Sequence, residues 1–186
     1  MKIIPLELGG AYLVEPKVFG DPRGFFMEFW NERKFADQNL RIQFVQDNLS
    51  RSSRGVLRGL HFQNPHPQGK LVSVLEGEVY DVIVDLRKGS PSFGKWVGVY
   101  LSSETKQQLF VPSGFAHGFL VTSETALFFY KCTEFYNPDS ERSLRWDDPS
   151  INISWPLEKP LVSEKDQKGL FLKNIPADQL FHFSES

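Results

Sequence analysis

Cysteine is almost absent from this chain: Cys132 is the only one, and there are only two methionines. A single cysteine excludes an internal disulfide and any zinc site built on paired cysteines. Long apolar runs are missing too, since none approaches the length of about 20 residues that spans a bilayer. The opening MKIIPLELGGAYLVEP is interrupted by a proline and a glutamate, unlike the apolar segment of a signal peptide. Nor is there a large excess of one charge. The formal net charge of −2 argues against a nucleic-acid binder. These absences predict a cytoplasmic protein with neither membrane nor nucleic acid as a partner.

What the chain does contain is aromatic and strand-like. Its 17 phenylalanines supply a large core, and 186 residues fit one domain. Alternation with a period of two recurs in GFFMEFW, VLRGLHF, LVSVL, EVYDVIVDL, KWVGVYL, QQLFVP, GFLVT and ALFFYKCTEFY. Turn chemistry separates these runs at 21–24 (DPRG), 64–69 (NPHPQG) and 87–94 (RKGSPSFG). One early helix is expected over 31–39 (NERKFADQN), and a helical turn after Ser163. The pattern predicts an all-β antiparallel sandwich or barrel forming a single domain over 1–186. The irregular segment 137–186 is expected to wrap it.

Charge is unevenly spread. From Asn48 to Leu75 the chain carries Arg51, Arg54, Arg58 and Lys70 but no Asp or Glu. Such a stretch is either a confined anion site or a solvated basic loop. Inside it, RGLHFQNPHPQGK offers His61 and His66. Strict alternation sets Leu57, Gly59, His61 and Gln63 on one face, and Val56, Arg58, Leu60 and Phe62 on the other. His61 then lines a polar wall. Arg58 can join it only if Gly59 bulges or the side chain bends around.

A metal is harder to assemble. Pro112, Gly114 and His117 in FVPSGFAHGF have a P-x-G-x-x-H spacing that resembles the second motif of the cupin superfamily, whose metal-binding members add an H-x-H pair and a glutamate from another strand. The H-x-H pair that would complete such a site reads His61-Phe62-Gln63 here, and a stable site needs three or four placed donors. In ALFFYKCTEFY, Phe128, Tyr130 and Cys132 share a face, with Tyr136 beyond them. Tyr130 is either core with a tethered hydroxyl or a general acid, and Cys132 reads as a buried apolar thiol. In SEKD (163–166), Asp166 either closes a capping box or fixes the tautomer of a histidine and stabilises its imidazolium.

Together, RGLHFQ, the lysine of HPQGK, PSGFAHGF, YKCTEFY, WDDPSINISWP and LVSEKD resemble the dTDP-4-dehydrorhamnose 3,5-epimerases. FGDPRGFFMEFW and FVQDNLSRSSRGVLRGLH extend the resemblance over residues 1–172. It implies a cupin-type jelly-roll barrel that needs no metal or cofactor, and a homodimer that takes a dTDP-sugar substrate. By the same resemblance His61 is the proton acceptor, Tyr130 the proton donor, Asp166 the partner of the histidine, and Lys70 the cation near the 4-keto oxygen. Arg23, Glu28, Gln46, Asp47 and Asn48 fall on substrate-contacting positions. So do Arg58, His117, Glu141 and Lys165, while Tyr136 matches the aromatic that stacks on thymine. Related readings remain open: an epimerase acting at one carbon only, a 3,4-ketoisomerase, a non-catalytic sugar-nucleotide-binding cupin, or a metal-dependent cupin oxygenase.

Overall fold

A computed structural model describes residues 1–183. The chain opens with β1 (Lys2–Pro5) and β2 (Tyr12–Glu15), then a hairpin of β3 (Val18–Asp21) and β4 (Gly24–Met27), then helix α1 (Glu32–Ala36). Next come β5 (Gln46–Ser53), β6 (Val56–Gln63), β7 (Lys70–Glu76), β8 (Glu78–Asp85) and β9 (Arg87–Lys88). β10 (Trp96–Ser102), β11 (Gln108–Val111), β12 (Phe115–Val121) and β13 (Thr125–Cys132) complete the central strands. The last part holds β14 (Glu141–Ser143), β15 (Leu161–Val162), α2 (Glu164–Gln167) and β16 (Phe181–His182).

These strands make two main sheets, as the alternation predicts. One runs β1-β2-β11-β7-β13-β5 and the other β10-β8-β12-β6-β14, with β15 added parallel to β6. Between them lies a core that takes Val72, Val74 and Phe128 from the first sheet and Val79, Ile83 and Phe119 from the second. Phe128 stacks on Phe119 with ring centroids 4.0 Å apart. Burying one such side chain contributes about 1.5–3 kcal/mol.

Each sheet also has its outer face covered, which explains why several strands are apolar on both sides. Leu60, Phe62, Val82 and Val84 pack against Leu144, Ile151, Ile175 and Leu180 of the C-terminal segment. Residues 184–186, the end of the segment expected to wrap the barrel, lie outside the described residues. On the other sheet, Val14, Leu71 and Phe110 pack with Phe35 of α1 and with Trp30 and Phe44.

Local details depart from the sequence pattern for identifiable reasons. The helix is Glu32–Ala36 rather than 31–39, because the Asn31 side chain caps it from outside by accepting from Lys34 N–H. Past it, Asn39 turns left-handed, with φ 63°. Of GFFMEFW, only Gly24–Met27 is strand. Trp30 leaves the hairpin to pack on Phe35 and Phe44.

The most consequential departure is in β6. His117 of β12 lies opposite His61, but Phe119 lies opposite Arg58, so β6 carries one extra residue across that interval. This is a β-bulge, and it reverses the facing of what precedes it. Gly59 makes it possible, with φ +119° and no Cβ. A Cβ there would sit 2.6 Å from Gly118 Cα and 2.7 Å from the His117 carbonyl oxygen. Of the two routes the sequence left open for Arg58, the strand takes the bulge at Gly59 rather than strict alternation: Arg58 shares the side of His61, while Leu60 and Phe62 keep the packing side.

Candidate active site

One end of the space between the sheets is not filled by side chains but forms a cavity of about 390 Å³. Alternation on each strand decides what lines it. β6 contributes Arg58, His61 and Gln63; β5 contributes Gln46, Asn48 and Ser50; β13 contributes Phe128, Tyr130 and Cys132. Lys70, at the start of β7, and His117 complete the inner wall, and Tyr136 and Glu141 stand at its edge.

His61 and Asp166, 105 residues apart in sequence, are in direct contact, with Nε2 2.5 Å from Oδ1. Both elements that hold them grow from β6: β15 pairs on Val56 and Leu57, and the chain turns directly into α2. Ser163 caps that turn by accepting from Asp166 N–H at 3.1 Å. Capping and histidine pairing are thus both present, because Ser163 takes the backbone and the Asp166 carboxylate is left for His61. Burial raises the Asp166 carboxyl, but the hydrogen bond and charge of His61, with Gly59 N–H and Ser163, bring it below the usual value. An ionised carboxylate accepts, so Nε2 carries the hydrogen. In the neutral ring Nδ1 is then the basic nitrogen.

Lys70 is a different kind of group. Among the described residues, no side chain makes a hydrogen bond or ion pair to its ammonium, although it lines the cavity. Burial pushes it below the ordinary lysine value, against the pull of Cys132, Asp81 and Glu141. An incompletely solvated cation facing a cavity has its strongest interactions in reserve for an anion there. Tyr130 is shifted the other way: burial first, then Cys132 and Glu141, raise its hydroxyl above the usual 10.0, so it keeps its proton at neutral pH.

Arg58 is exposed to the cavity, and its Nε donates to Ser52 Oγ at 3.0 Å. At the edge, Tyr136 O–H donates to Glu141 Oε2 at 2.7 Å, and Lys165 Nζ reaches the same oxygen at 2.5 Å. Burial raises the Glu141 carboxyl, but these two partners and nearby His61 hold it below its ordinary value. His117 meets Asp81, with Nε2 2.9 Å and 3.0 Å from the two carboxylate oxygens. Among the described residues no group of three or more His, Cys, Asp or Glu side chains is gathered as a metal site. The histidine of the P-x-G-x-x-H spacing is here half of a buried, hydrogen-bonded histidine–carboxyl pair.

The sequence model of the dTDP-4-dehydrorhamnose 3,5-epimerases matches residues 5–174. The chain belongs to that family. A dTDP-4-dehydrorhamnose 3,5-epimerase of Pseudomonas aeruginosa is 56% identical over 171 residues, covering 91% of this chain and 94% of its own. A dTDP-6-deoxy-D-glucose-3,5-epimerase of Legionella pneumophila, solved in complex with dTDP-4-keto-L-rhamnose, superposes with a TM-score of 0.96. It is 49% identical and covers 99% of each chain. A 3'-monoepimerase of Streptomyces bikiniensis, in complex with dTDP-quinovose, has a TM-score of 0.86 at 33% identity, over 91% of this chain and 87% of its own. The two-sheet architecture is the cupin-type jelly roll of the 3,5-epimerases, and the chain is an isomerase.

Within this epimerase chain, the structure gathers ten of the residues named from sequence around one cavity: His61, Lys70 and Tyr130, with Gln46, Asn48 and Arg58, then His117, Tyr136 and Glu141, and Asp166 behind His61. Lys165 joins them through Glu141. Three do not join. Asp47 points away from the cavity because its neighbours Gln46 and Asn48 point in, and it pairs with Lys131 at 2.7 Å. Arg23 projects from the β3–β4 turn and pairs with Asp21. Glu28 pairs with Lys34 at 2.7 Å. Asp81 and Gln63 were not singled out from sequence. For Asp81 a signal existed: a charge in the middle of EVYDVIVDL, on the inward parity with Val79 and Ile83.

Proposed function

We propose that this epimerase inverts carbons 3 and 5 of dTDP-4-dehydro-6-deoxy-D-glucose to give dTDP-4-dehydro-L-rhamnose. The observation that carries the reading is the convergence of the His61–Asp166 pair, Tyr130 and an unpartnered Lys70 on one cavity. Carbons 3 and 5 flank a ketone, so loss of either proton leaves an enolate. His61 Nδ1 takes the proton, and the C–H electron pair moves into the ring while the carbonyl pair moves onto the 4-oxygen. Lys70 stabilises that oxyanion. Tyr130 O–H then delivers a proton to the opposite face of the same carbon, which inverts it. Exchange with water returns the proton from His61 and reprotonates Tyr130, so no redox partner is needed.

Asp166 holds the ring of His61 and stabilises the imidazolium, as a positioning carboxylate does. Acid–base catalysis supplies about 10²–10⁴-fold, and the oxyanion partner supplies much of the rest. Arg58, which lines the cavity and uses its Nε on Ser52, suits the substrate's diphosphate. Tyr136 suits the thymine ring, as the family resemblance implies, and Gln46, Asn48, His117, Glu141 and Lys165 frame the sugar nucleotide.

The working unit is a cytoplasmic homodimer. In its support, the β3–β4 hairpin exposes Phe25 and Phe26 at 62% and 69% and carries Arg23 away from its own cavity. Exposed aromatics on a projecting arm are suited to a partner's surface. Arg23 and Glu28 then complete the site of the second copy.

The test is a time course by NMR in D₂O with dTDP-4-dehydro-6-deoxyglucose. Deuterium entering carbons 3 and 5, with the L-rhamno product, supports the reading. Deuterium at carbon 3 alone would instead assign the activity of the Streptomyces 3'-monoepimerase. Absence of exchange would reject epimerisation.

A further inference from the structure

Gln63 closes the RGLHFQ motif, and none of the proton-transfer steps uses it. It is 4% exposed and lies two residues from His61 on the cavity side of β6. Its side-chain amide is spent entirely on the backbone of two loops. Nε2 donates to the His66 carbonyl at 2.6 Å and to the Phe135 carbonyl at 3.0 Å, while Oε1 accepts from Asn137 N–H at 2.9 Å. The first loop leads into Lys70. The second consists of the residues on either side of Tyr136.

Tyr136 is therefore held in an unusual way. The residue is 52% exposed, yet its own N–H donates to Gln46 Oε1 at 2.9 Å, and both of its chain neighbours are tied to Gln63. Its hydroxyl is fixed by Glu141. An exposed aromatic that is rigid before any ligand arrives loses little freedom on stacking, which favours binding.

We infer that Gln63 is a positioning residue that fixes the peptide of Tyr136 as a platform for the nucleobase, and so sets affinity for the nucleotide rather than the rate of proton transfer. The inference rests on the nucleotide-sugar reading above. Two substitutions separate its parts. Gln63→Glu keeps the shape and the acceptor for Asn137 N–H but, when ionised, sets a carboxylate oxygen against two carbonyls. Gln63→Met removes all three hydrogen bonds at similar length.

The experiment measures kcat and KM for the dTDP-4-keto sugar, dTDP affinity by calorimetry, and melting temperature, for both variants and the parent protein. Both variants are expected to raise KM and weaken dTDP at least tenfold, with kcat within about twofold of the parent. For Gln63→Glu the loss relative to the parent should shrink between pH 8 and pH 5, as the carboxyl gains a proton and becomes a donor again. Gln63→Met should show no such recovery. A fall in kcat with KM and dTDP affinity unchanged would overturn the inference, as would a lowered melting temperature with unchanged affinity. If the parent protein itself fails to bind dTDP, the nucleotide-sugar reading fails first; if the parent binds and both variants match it, only the role of Gln63 is lost.

Discussion

Arg58 and His61 face the same cavity although a regular strand would turn them to opposite sides. The extra residue in β6 reverses the facing between them, and it is accommodated only because Gly59 brings its backbone against Gly118 and the His117 carbonyl. The bulge thus turns both Arg58 and His61 into one cavity from a single strand.

Gly59→Ala tests this directly. The added methyl would meet backbone atoms at 2.6 and 2.7 Å, in a conformation with φ +119°. Backbone strain of this kind costs on the order of 1–3 kcal/mol. The expected result is a lowered melting temperature together with loss of most activity, since any relief requires the strand to shift between Arg58 and His61. Urea denaturation and kcat/KM measure the two effects.

Asp166→Asn should lower kcat by about 10²–10⁴-fold, because His61 loses its fixed tautomer and the carboxylate that stabilises its protonated form. The folded-state carboxyl lies below the usual 3.8. Its contribution to stability is therefore complete above the unfolded value and is lost as pH falls through the folded one. The stability gap between the parent protein and the variant is expected to be constant at neutral pH and to close below about pH 4. Denaturation curves across that range check it.

Lys70→Met should separate stability from activity. Burial holds the ammonium below 10.5, so its charged form destabilises the fold at neutral pH, and that cost diminishes as pH rises toward the unfolded value. Removing the charge is expected to leave the melting temperature equal or higher. Loss of the oxyanion partner should reduce kcat about 10²–10³-fold. A variant that is both less stable and fully active would contradict the role of Lys70.

Phe26→Asp on the β3–β4 hairpin replaces the ring of a residue that is 69% exposed with a carboxylate. If the hairpin packs on a second copy, sedimentation should show the dimer weakened, and KM should rise because Arg23 and Glu28 no longer reach the partner's cavity. An unchanged sedimentation profile would assign the arm to another role.

Much of this site was legible before the fold was known, and particular residues show why. Alternation alone places Phe128, Tyr130 and Cys132 together, and the structure sets all three on the cavity wall. The Ser163 cap is local chemistry, readable from SEKD. Contact between His61 and Asp166 is not local; it depends on β15 adding to β6, and only the family resemblance brought the two together in advance. For Arg58 the sequence left two routes open, a bulge at Gly59 or a bent side chain, because a bulge changes parity without leaving a pattern beyond one glycine; β6 takes the bulge. The tail was opaque for a similar reason. Phe181 and His182 pair in parallel with Arg87 and Lys88, and Phe181 packs on Phe62, a short docking no periodicity announces.

The division of labour between His61 and Tyr130 is the centre of the account, and solvent exchange at the substrate's carbons reads it most directly. In D₂O, His61→Ala should abolish deuterium entry at carbons 3 and 5, because no base remains to form either enolate. Tyr130→Phe should still exchange those positions while inversion falls by about 10²–10⁴-fold. Exchange at the parent rate in His61→Ala, or full inversion in Tyr130→Phe, would contradict it.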